Sequence, residues 1–275
     1  METLTDVQIK KVGIELLKEI SSVCEKAGVR FYLGYGSLLG AVRHNGFIPW
    51  DDDIDILIPR PDYERFEQYC LSNEVGFSLV SNASCGSRWC KLNSKAADTG
   101  TVVVERYLKS NSIGFGVSID IFIVEGLGNS PKEAKRSFQK KRVGREILIV
   151  KNWERFFPGG KGLARDAVRL FFFLIGKFVN GQRLYDRICS YYSGISFEKS
   201  EYVGILASPY RMRDIFPKKI FEERALYRFE DGDYPSVADA GAYLRQIYGS
   251  DYMLPPPPEK RISNHDIVVY KKTAI

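Results

Sequence analysis

The chain has little cysteine, less histidine and no long apolar run, and each scarcity removes a class of protein. Five cysteines (Cys24, Cys70, Cys85, Cys90, Cys189) form an odd set with no Cys-x-x-Cys pair. That is poor material for a disulfide framework and reads as free thiols in a reducing cytoplasm. The two histidines, His44 and His265, are distant in sequence from Cys85 and Cys90, so the closely spaced N and S ligands of a tetrahedral zinc site are not assembled. The most apolar window, Leu170 to Val179, is interrupted by Lys177 and falls well short of the ~20 residues that a spanning helix needs. Met1 to Lys11 lacks the basic start and apolar run of a signal peptide, so no export is expected. There is no internal repeat and no long block of one charge sign. The formal charge of +6 suits phosphorylated substrates or an anionic membrane surface and gives little support to nucleic-acid binding. At 275 residues and 44% hydrophobic, the chain is not disordered and has room for one large domain or a core with an appendage.

What the chain does have is acid, concentrated. Trp50-Asp51-Asp52-Asp53-Ile54-Asp55 puts four carboxylates in five positions just before an apolar run. Charges packed so closely repel one another, and a cation or a basic partner has to neutralise them. A metal site is the working expectation. In a strand, side chains alternate between faces, so Ile54, Ile56 and Ile58 point one way and Asp53, Asp55 and Leu57 the other. Asp53 and Asp55 then share a face with side-chain origins ~7 Å apart, which allows them to straddle a divalent ion. Gly116 to Val124 repeats the pattern, with Asp120 opposite Val117, Ile119, Ile121 and Ile123. Asp120 is a candidate third carboxylate if its strand lies beside the first with the same face outward; otherwise it is a polar residue on a half-exposed strand. Asp51 and Asp52 are left as supporting residues that pair with Arg43 or cap a turn.

Upstream, Val29 to Leu33 reads as a strand and Leu38 to Val42 as a short helix, with Gly36-Ser37 in the turn between them. Such a turn approaches a phosphate closely and points backbone N–H groups at it, although Gly-Ser alone is also an ordinary turn. Arg43, His44 and Lys91 are the candidate phosphate contacts. Each has a plainer alternative, as a solvated arginine, a turn histidine and an exposed strand charge.

The remaining elements give an α+β pattern. A capped helix runs from Thr5 or Asp6 to Gly28, and another covers Asp62 to Leu71. Strands are expected at Phe77 to Val80, Arg88 to Leu92 and Thr101 to Glu105, for a sheet of about five or six members. Ser130-Pro131 opens a long basic helix closed by Pro158-Gly159-Gly160. Leu163 to Asn180 combines an aromatic side with scattered basic residues, and it fits either core burial, the commoner fate, or the headgroup region of an anionic membrane. Phe229 to Pro235 reads as a loop and Val237 to Tyr248 as a helix capped by Ser236. Pro255 to Pro258 forms a rigid closing loop, after which Glu259, Lys260, Arg261 and His265 return charge to the site.

Two runs then meet a known family. Gly34-Tyr35-Gly36-Ser37-Leu38-Leu39-Gly40-Ala41-Val42-Arg43-His44, followed by Gly46-Phe47-Ile48-Pro49-Trp50-Asp51-Asp52-Asp53-Ile54-Asp55, resembles the LicD phosphotransferase family, which includes the fukutin-related proteins. Ile119-Asp120-Ile121-Phe122 and the Tyr248-Gly249, Asp251-Tyr252-Met253 tail are similar to the family's second acidic strand and closing motif. The resemblance implies a nucleotidyltransferase-like mixed β-sheet flanked by helices, while the basic middle carries no family signal and is read from its own residues as a helical insertion. Together these readings make residues 1–126 the catalytic core, 127–200 a basic, aromatic-rich helical subdomain and 201–275 a segment closing the site. The resemblance also implies that Asp53, Asp55 and Asp120 are catalytic and bind Mg²⁺ or Mn²⁺, with Gly36 and Ser37 near the donor phosphates. The implied reaction moves a phosphocholine-type group from CDP-choline, or a related CDP-linked donor, to a sugar hydroxyl. The implied acceptor is a surface glycan such as lipopolysaccharide or teichoic acid, or its lipid-linked glycopolymer precursor, and CMP is released. A cytoplasmic enzyme with peripheral membrane contact and no nucleic-acid partner is expected. Two alternatives stand beside it: a true nucleotidyltransferase that attaches the nucleotide itself, and a non-catalytic scaffold for polymer precursors. For a choline cargo, Trp50, Trp89, Tyr35 and Tyr252 are the aromatics available to a quaternary ammonium.

Overall fold

A computed structural model describes residues 2–105, 113, 115–151, 153, 155–156, 158, 162–261 and 267–272. The elements run α1 (Asp6–Lys26), β1 (Tyr32–Leu33), α2 (Tyr35–His44), β2 (Ile54–Pro59), α3 (Arg60–Ser72), β3 (Ser78–Val80), α4 (Asn82–Cys85), β4 (Asn93–Ala97), β5 (Thr101–Glu105) and β6 (Ser118–Gly128). They continue with α5 (Pro131–Lys140), α6 (Arg142–Lys151), α7 (Leu163–Phe178), α8 (Gly181–Ser193), β7 (Tyr202–Ile205), β8 (Ile215–Pro217), β9 (Arg224–Phe229), β10 (Gly232–Val237), α9 (Ala240–Tyr248) and β11 (Ile267–Lys271). The class is α+β, as the sequence predicts.

Among the described residues, seven strands form the main sheet along β1-β2-β6-β4-β3, with β7 continuing from β6 and β8 from β7. The long β6 is its spine. β2 runs parallel to it, with Ile54 opposite Ile119 and Asp55 opposite Asp120. β4 lies antiparallel on its other side, with Lys95 opposite Asp120, and β7 pairs with its far end. The isoleucines expected to share a face do pack: Ile54, Ile56, Ile58, Ile119 and Ile121 are buried against Leu17, Ile20 and Val23 of α1 in one core. Each such side chain contributes about 1.5–3 kcal/mol through removal from water. α1 starts in a capping box in which Thr5 and Gln8 satisfy each other's backbone N–H groups.

Several local expectations change. The strand before the Gly-Ser turn is only Tyr32–Leu33, and α2 begins at Tyr35, so Gly36 and Ser37 lie inside the first turn of the helix. The segment 88–92 is not a strand: a 3₁₀ turn at Gly86–Arg88 coils the chain around buried Trp89, whose indole N–H donates to the Asn93 carbonyl at 2.8 Å. β4 starts only after it. The long basic helix splits at Lys141 into α5 and α6, because the Arg145 guanidinium turns back and donates to the Phe138 carbonyl, one of the orphan acceptors at the end of α5. Phe229 to Pro235 is not a loop but the tip of a β9–β10 hairpin, in which Glu230, at φ 56°, and Asp231 make the turn between paired strand residues. Asp239, not Ser236, caps the following helix; the Ser236 hydroxyl donates to the Leu33 carbonyl at 2.7 Å.

A second core of Leu127, Phe138, Leu148, Ile188 and Tyr192 seats α5, α6 and α8 on the far end of β6. Nearby, Arg60 at the start of α3 donates from Nε to Glu125 of β6 at 3.0 Å and from Nη2 to its other oxygen. Glu125 is buried, and removing one partner of such a pair leaves the other charge uncompensated. Glu125→Gln is therefore expected to lower the unfolding free energy by about 3 kcal/mol in urea titrations; an unchanged midpoint would contradict the assignment of this pair as a structural clamp.

Candidate active site

Parallel pairing of β2 and β6 sets Asp55 beside Asp120 at the same register, so both project from the same face of the sheet. Asp55 is partly buried, and its carboxyl is held well above the ordinary range, first by burial and then by the negative charge of Asp53, Asp120 and Asp51. Lys95 works in the opposite direction. Asp53 lies just before β2, not within it. The three carboxylates singled out in the sequence therefore influence one another, and Asp51 joins them.

Gly36 explains how Asp51 reaches the group. A Cβ on Gly36 would stand 2.8 Å from Asp51 Oδ2, so the missing side chain is what lets this carboxylate lie against the first turn of α2. Ser37 is buried and accepts the Asp55 backbone N–H at 2.8 Å, and the Gly34 N–H donates to the Asp55 carbonyl at 2.9 Å. The Gly-Ser segment thus fixes the backbone of the acidic strand. Tyr35 between them takes φ 41°, a left-handed conformation that is strained for a residue with a Cβ. Tertiary contacts hold it there: its ring stacks on Tyr210 at 5.4 Å and meets Phe122 edge-on at 5.1 Å, and its hydroxyl donates to buried Asp214 at 2.8 Å. Burial pushes the Asp214 carboxyl up to about 7.

The sequence did not point to Asn93 and Lys95. Asn93 Nδ2 donates to one oxygen of Asp120 at 2.8 Å, and Lys95 Nζ pairs with the other at 2.8 Å. The signal was present as the alternation Asn93, Lys95 against buried Ser94, Ala96, but a strand placed at 88–92 hides it.

The expected phosphate contacts are dispersed. Arg43 and His44 close the far end of α2, seven residues and ~10 Å along the axis from Gly36. There Arg43 Nε donates to His44 Nε2 at 2.9 Å and Nη1 to the Tyr252 carbonyl at 3.0 Å. Burial, then the charge of Arg43, lowers the His44 pKa and leaves the ring neutral as an acceptor. Both Arg43 and Arg261 approach the Trp50 ring, at 5.9 and 5.4 Å, so the tail does return a cation to this region. His265 lies outside the described residues. Lys91 sits over Trp89 at 4.4 Å and lines a cavity of about 240 Å³ with Asn93, Arg145, Leu148, Trp153 and Leu206. Of the aromatics available for a quaternary ammonium, Tyr35 and Trp89 are buried and Trp50 is flanked by two cations.

Among the described residues, no group of three or more His, Cys, Asp or Glu side chains is gathered closely enough to hold an ion as it stands. The donor chemistry nevertheless fits Mg²⁺ or Mn²⁺. Mg²⁺ takes one or two carboxylates and completes its octahedron with water and substrate phosphates, and the repulsion acting on Asp55 marks a place where positive charge is favourable.

Residues 28–142 match the family described as LicD/FKTN/FKRP, nucleotidyltransferase domain. Over 271 residues, 96% of this chain and 97% of the relative, the sequence is 26% identical to the lipopolysaccharide cholinephosphotransferase LicD of Haemophilus influenzae. A stretch of 54 residues is 48% identical to the human ribitol 5-phosphate transferase FKRP, covering 20% of this chain and 11% of that protein. An uncharacterized protein of Rickettsia prowazekii is 39% identical over 95 residues, 28% of this chain and 36% of its own.

Because the Asp55 pKa is raised on folding, the folded state retains a proton that the unfolded chain releases near pH 4, so this residue's penalty grows as pH rises past about 4 and is complete once folded Asp55 ionises. In metal-free buffer Asp55→Asn is expected to flatten the fall in Tm that sets in as pH rises past about 4, and to leave the variant with the higher Tm on the alkaline side. Parallel wild-type and variant profiles would refute the repulsion.

Proposed function

Because residues 28–142 belong to the LicD/FKTN/FKRP family of nucleotidyltransferase domains, we propose that this chain is a transferase of a phosphate-linked group onto a glycan hydroxyl. In its finer form, it moves a phosphocholine-type group from a CDP-linked donor to a sugar on a surface glycopolymer or its lipid-linked precursor, releasing CMP. The observation that carries the reading is the in-register pair Asp55 and Asp120, surrounded by Asp51 and Asp53, on a sheet whose spine brings in Lys95.

Asp53, Asp55 and Asp120 would hold the divalent ion, which when bound supplies neutralising charge to the donor pyrophosphate. The chain's own groups position the reactants. Asp120, steadied by Asn93 and Lys95, aligns the acceptor hydroxyl and takes its proton as the new O–P bond forms. The bond from that phosphorus to the bridging oxygen of CMP breaks in line, and CMP leaves with the electron pair. The first turn of α2, at Gly36 and Ser37, offers a backbone N–H end to a phosphate. Arg43, His44 and Lys91 are proposed donor contacts. Two cations at Trp50 favour an anionic part of the donor there over the ammonium of choline. The catalytic unit is proposed as residues 1–126 closed by 201–275, in a cytoplasmic enzyme that contacts the membrane peripherally through 127–200.

Purified protein supplied with Mg²⁺ and CDP-choline, CDP-ethanolamine, CDP-glycerol or CDP-ribitol is expected to release CMP with one of them in the presence of a glycan acceptor. Asp53→Asn and Asp55→Asn are each expected to slow that release by about a hundredfold or more, as is excess EDTA. Full activity in either variant or in EDTA would sink the proposal. Mass spectrometry of the acceptor decides between this reaction and attachment of the nucleotide, since the added mass identifies which side of the pyrophosphate moved.

A further inference from the structure

α7 turns its apolar side outward. Leu163, Leu170, Phe171, Leu174 and Phe178 are 92%, 38%, 58%, 53% and 91% exposed. At helical pitch these five and Ala167 fall within an arc of about 100° that contains no charged residue. The opposite side is firmly seated. Buried Phe173 packs on Trp153 and Phe156 at 6.4 and 6.0 Å, and Lys151 of α6 donates to the Gly176 carbonyl at 3.0 Å. Exposure of the outer face is therefore a feature of a packed helix.

The charge of the segment that carries this face selects its occupant. Residues 131–200 carry sixteen Lys and Arg against six Asp and Glu, a net +10 in a chain whose total is +6. A second copy docking face to face would bring one strongly positive segment against another. An anionic lipid surface meets both demands, acyl chains for the apolar arc and negative headgroups for the basic segment that carries it. α7 has 16 residues, ~24 Å of helix, and among the described residues no helix is long and apolar enough to cross a bilayer. The helix therefore lies in the plane of the interface.

We propose that the outer face of α7, Leu163-Leu170-Phe171-Leu174-Phe178, docks the protein on an anionic phospholipid bilayer. Docking also bears on the cavity of about 240 Å³ that Lys91 lines. That cavity is lined by Ile149 and Trp153 from the segment seating α7 and by Asn93, which donates to Asp120. A lipid-borne acceptor would find there a recess that shares Asn93 with the acidic pair and Trp153 with the seat of α7; this last step, unlike the docking, rests on the transferase reading.

Flotation of the full-length chain with vesicles tests the docking without any activity assay. The wild type is expected to float with phosphatidylcholine vesicles containing about 30 mol% phosphatidylglycerol, and about tenfold less with phosphatidylcholine alone or at high salt. Leu174→Glu/Phe178→Glu changes only exposed positions, so far-UV circular dichroism and Tm should match the wild type while flotation falls about tenfold or more. Failure of the wild type to float with the anionic vesicles, or equal flotation of both proteins, would overturn the proposal. So would a dimer in gel filtration that the double variant abolishes, which would assign the face to a second copy. Any of these results leaves CMP release by the wild type as a separate measurement of the transferase reading.

Discussion

Like charges forced into register are the constraint on which the site depends. Parallel pairing of β2 with β6 is fixed by apolar burial on the isoleucine face, where Ile54, Ile56, Ile119 and Ile121 leave the register no freedom to slip. The same register that buries the isoleucines aligns Asp55 with Asp120. Hydrophobic energy thereby offsets an electrostatic penalty on the other side of the sheet, and the carboxyl of Asp55, lifted by burial and by Asp53, Asp120 and Asp51, records that penalty. A site in this condition is predisposed to bind positive charge. Lys95 supplies some of it from β4, and a divalent ion carrying substrate phosphates would supply the rest.

Around that pair, the neighbouring elements serve mainly to hold a backbone in place. Ser37 and Gly34 hydrogen-bond both backbone groups of Asp55, and Gly36 leaves room for the Asp51 carboxylate. Tyr35 is held in a left-handed conformation by Tyr210 and Phe122 and by its bond to Asp214, all contributed from outside α2. Residues distant in sequence, Phe122, Tyr210, Asp214 and Tyr243, therefore support a helix start whose own sequence advertises only glycine and serine.

How much of this was legible in the sequence follows from the range of each signal. Period-two alternation is local, so the isoleucine faces and the pairing of Asp53 with Asp55 as candidates could be read directly from residues 53–58, and Asp120 from 116–124. Strand adjacency is not local, and only the fold brings Asp120 beside Asp55. Lys95 and Asn93 stayed hidden because Trp89 bends the preceding residues into a 3₁₀ turn, while Arg88 to Leu92 has the look of a strand. Alternation puts Asp51 on the side of Asp53 and Asp55, but that rule weakens ahead of the regular strand, so the sequence marks it only as a supporting residue. In α7, amphipathic spacing identified an apolar face but left its fate open; packing of Phe173 and Gly176 on α6 uses the other side and leaves the apolar arc in solvent.

The most direct measurement of the central claim is anomalous diffraction from crystals grown with Mn²⁺ and the CDP-linked donor. The account predicts a manganese peak coordinated by Asp55 and Asp120 and by the donor phosphates, with Asp53 in its ligand sphere. An ordered donor with its phosphates bound elsewhere, or manganese seated away from the β2–β6 pair, would contradict it.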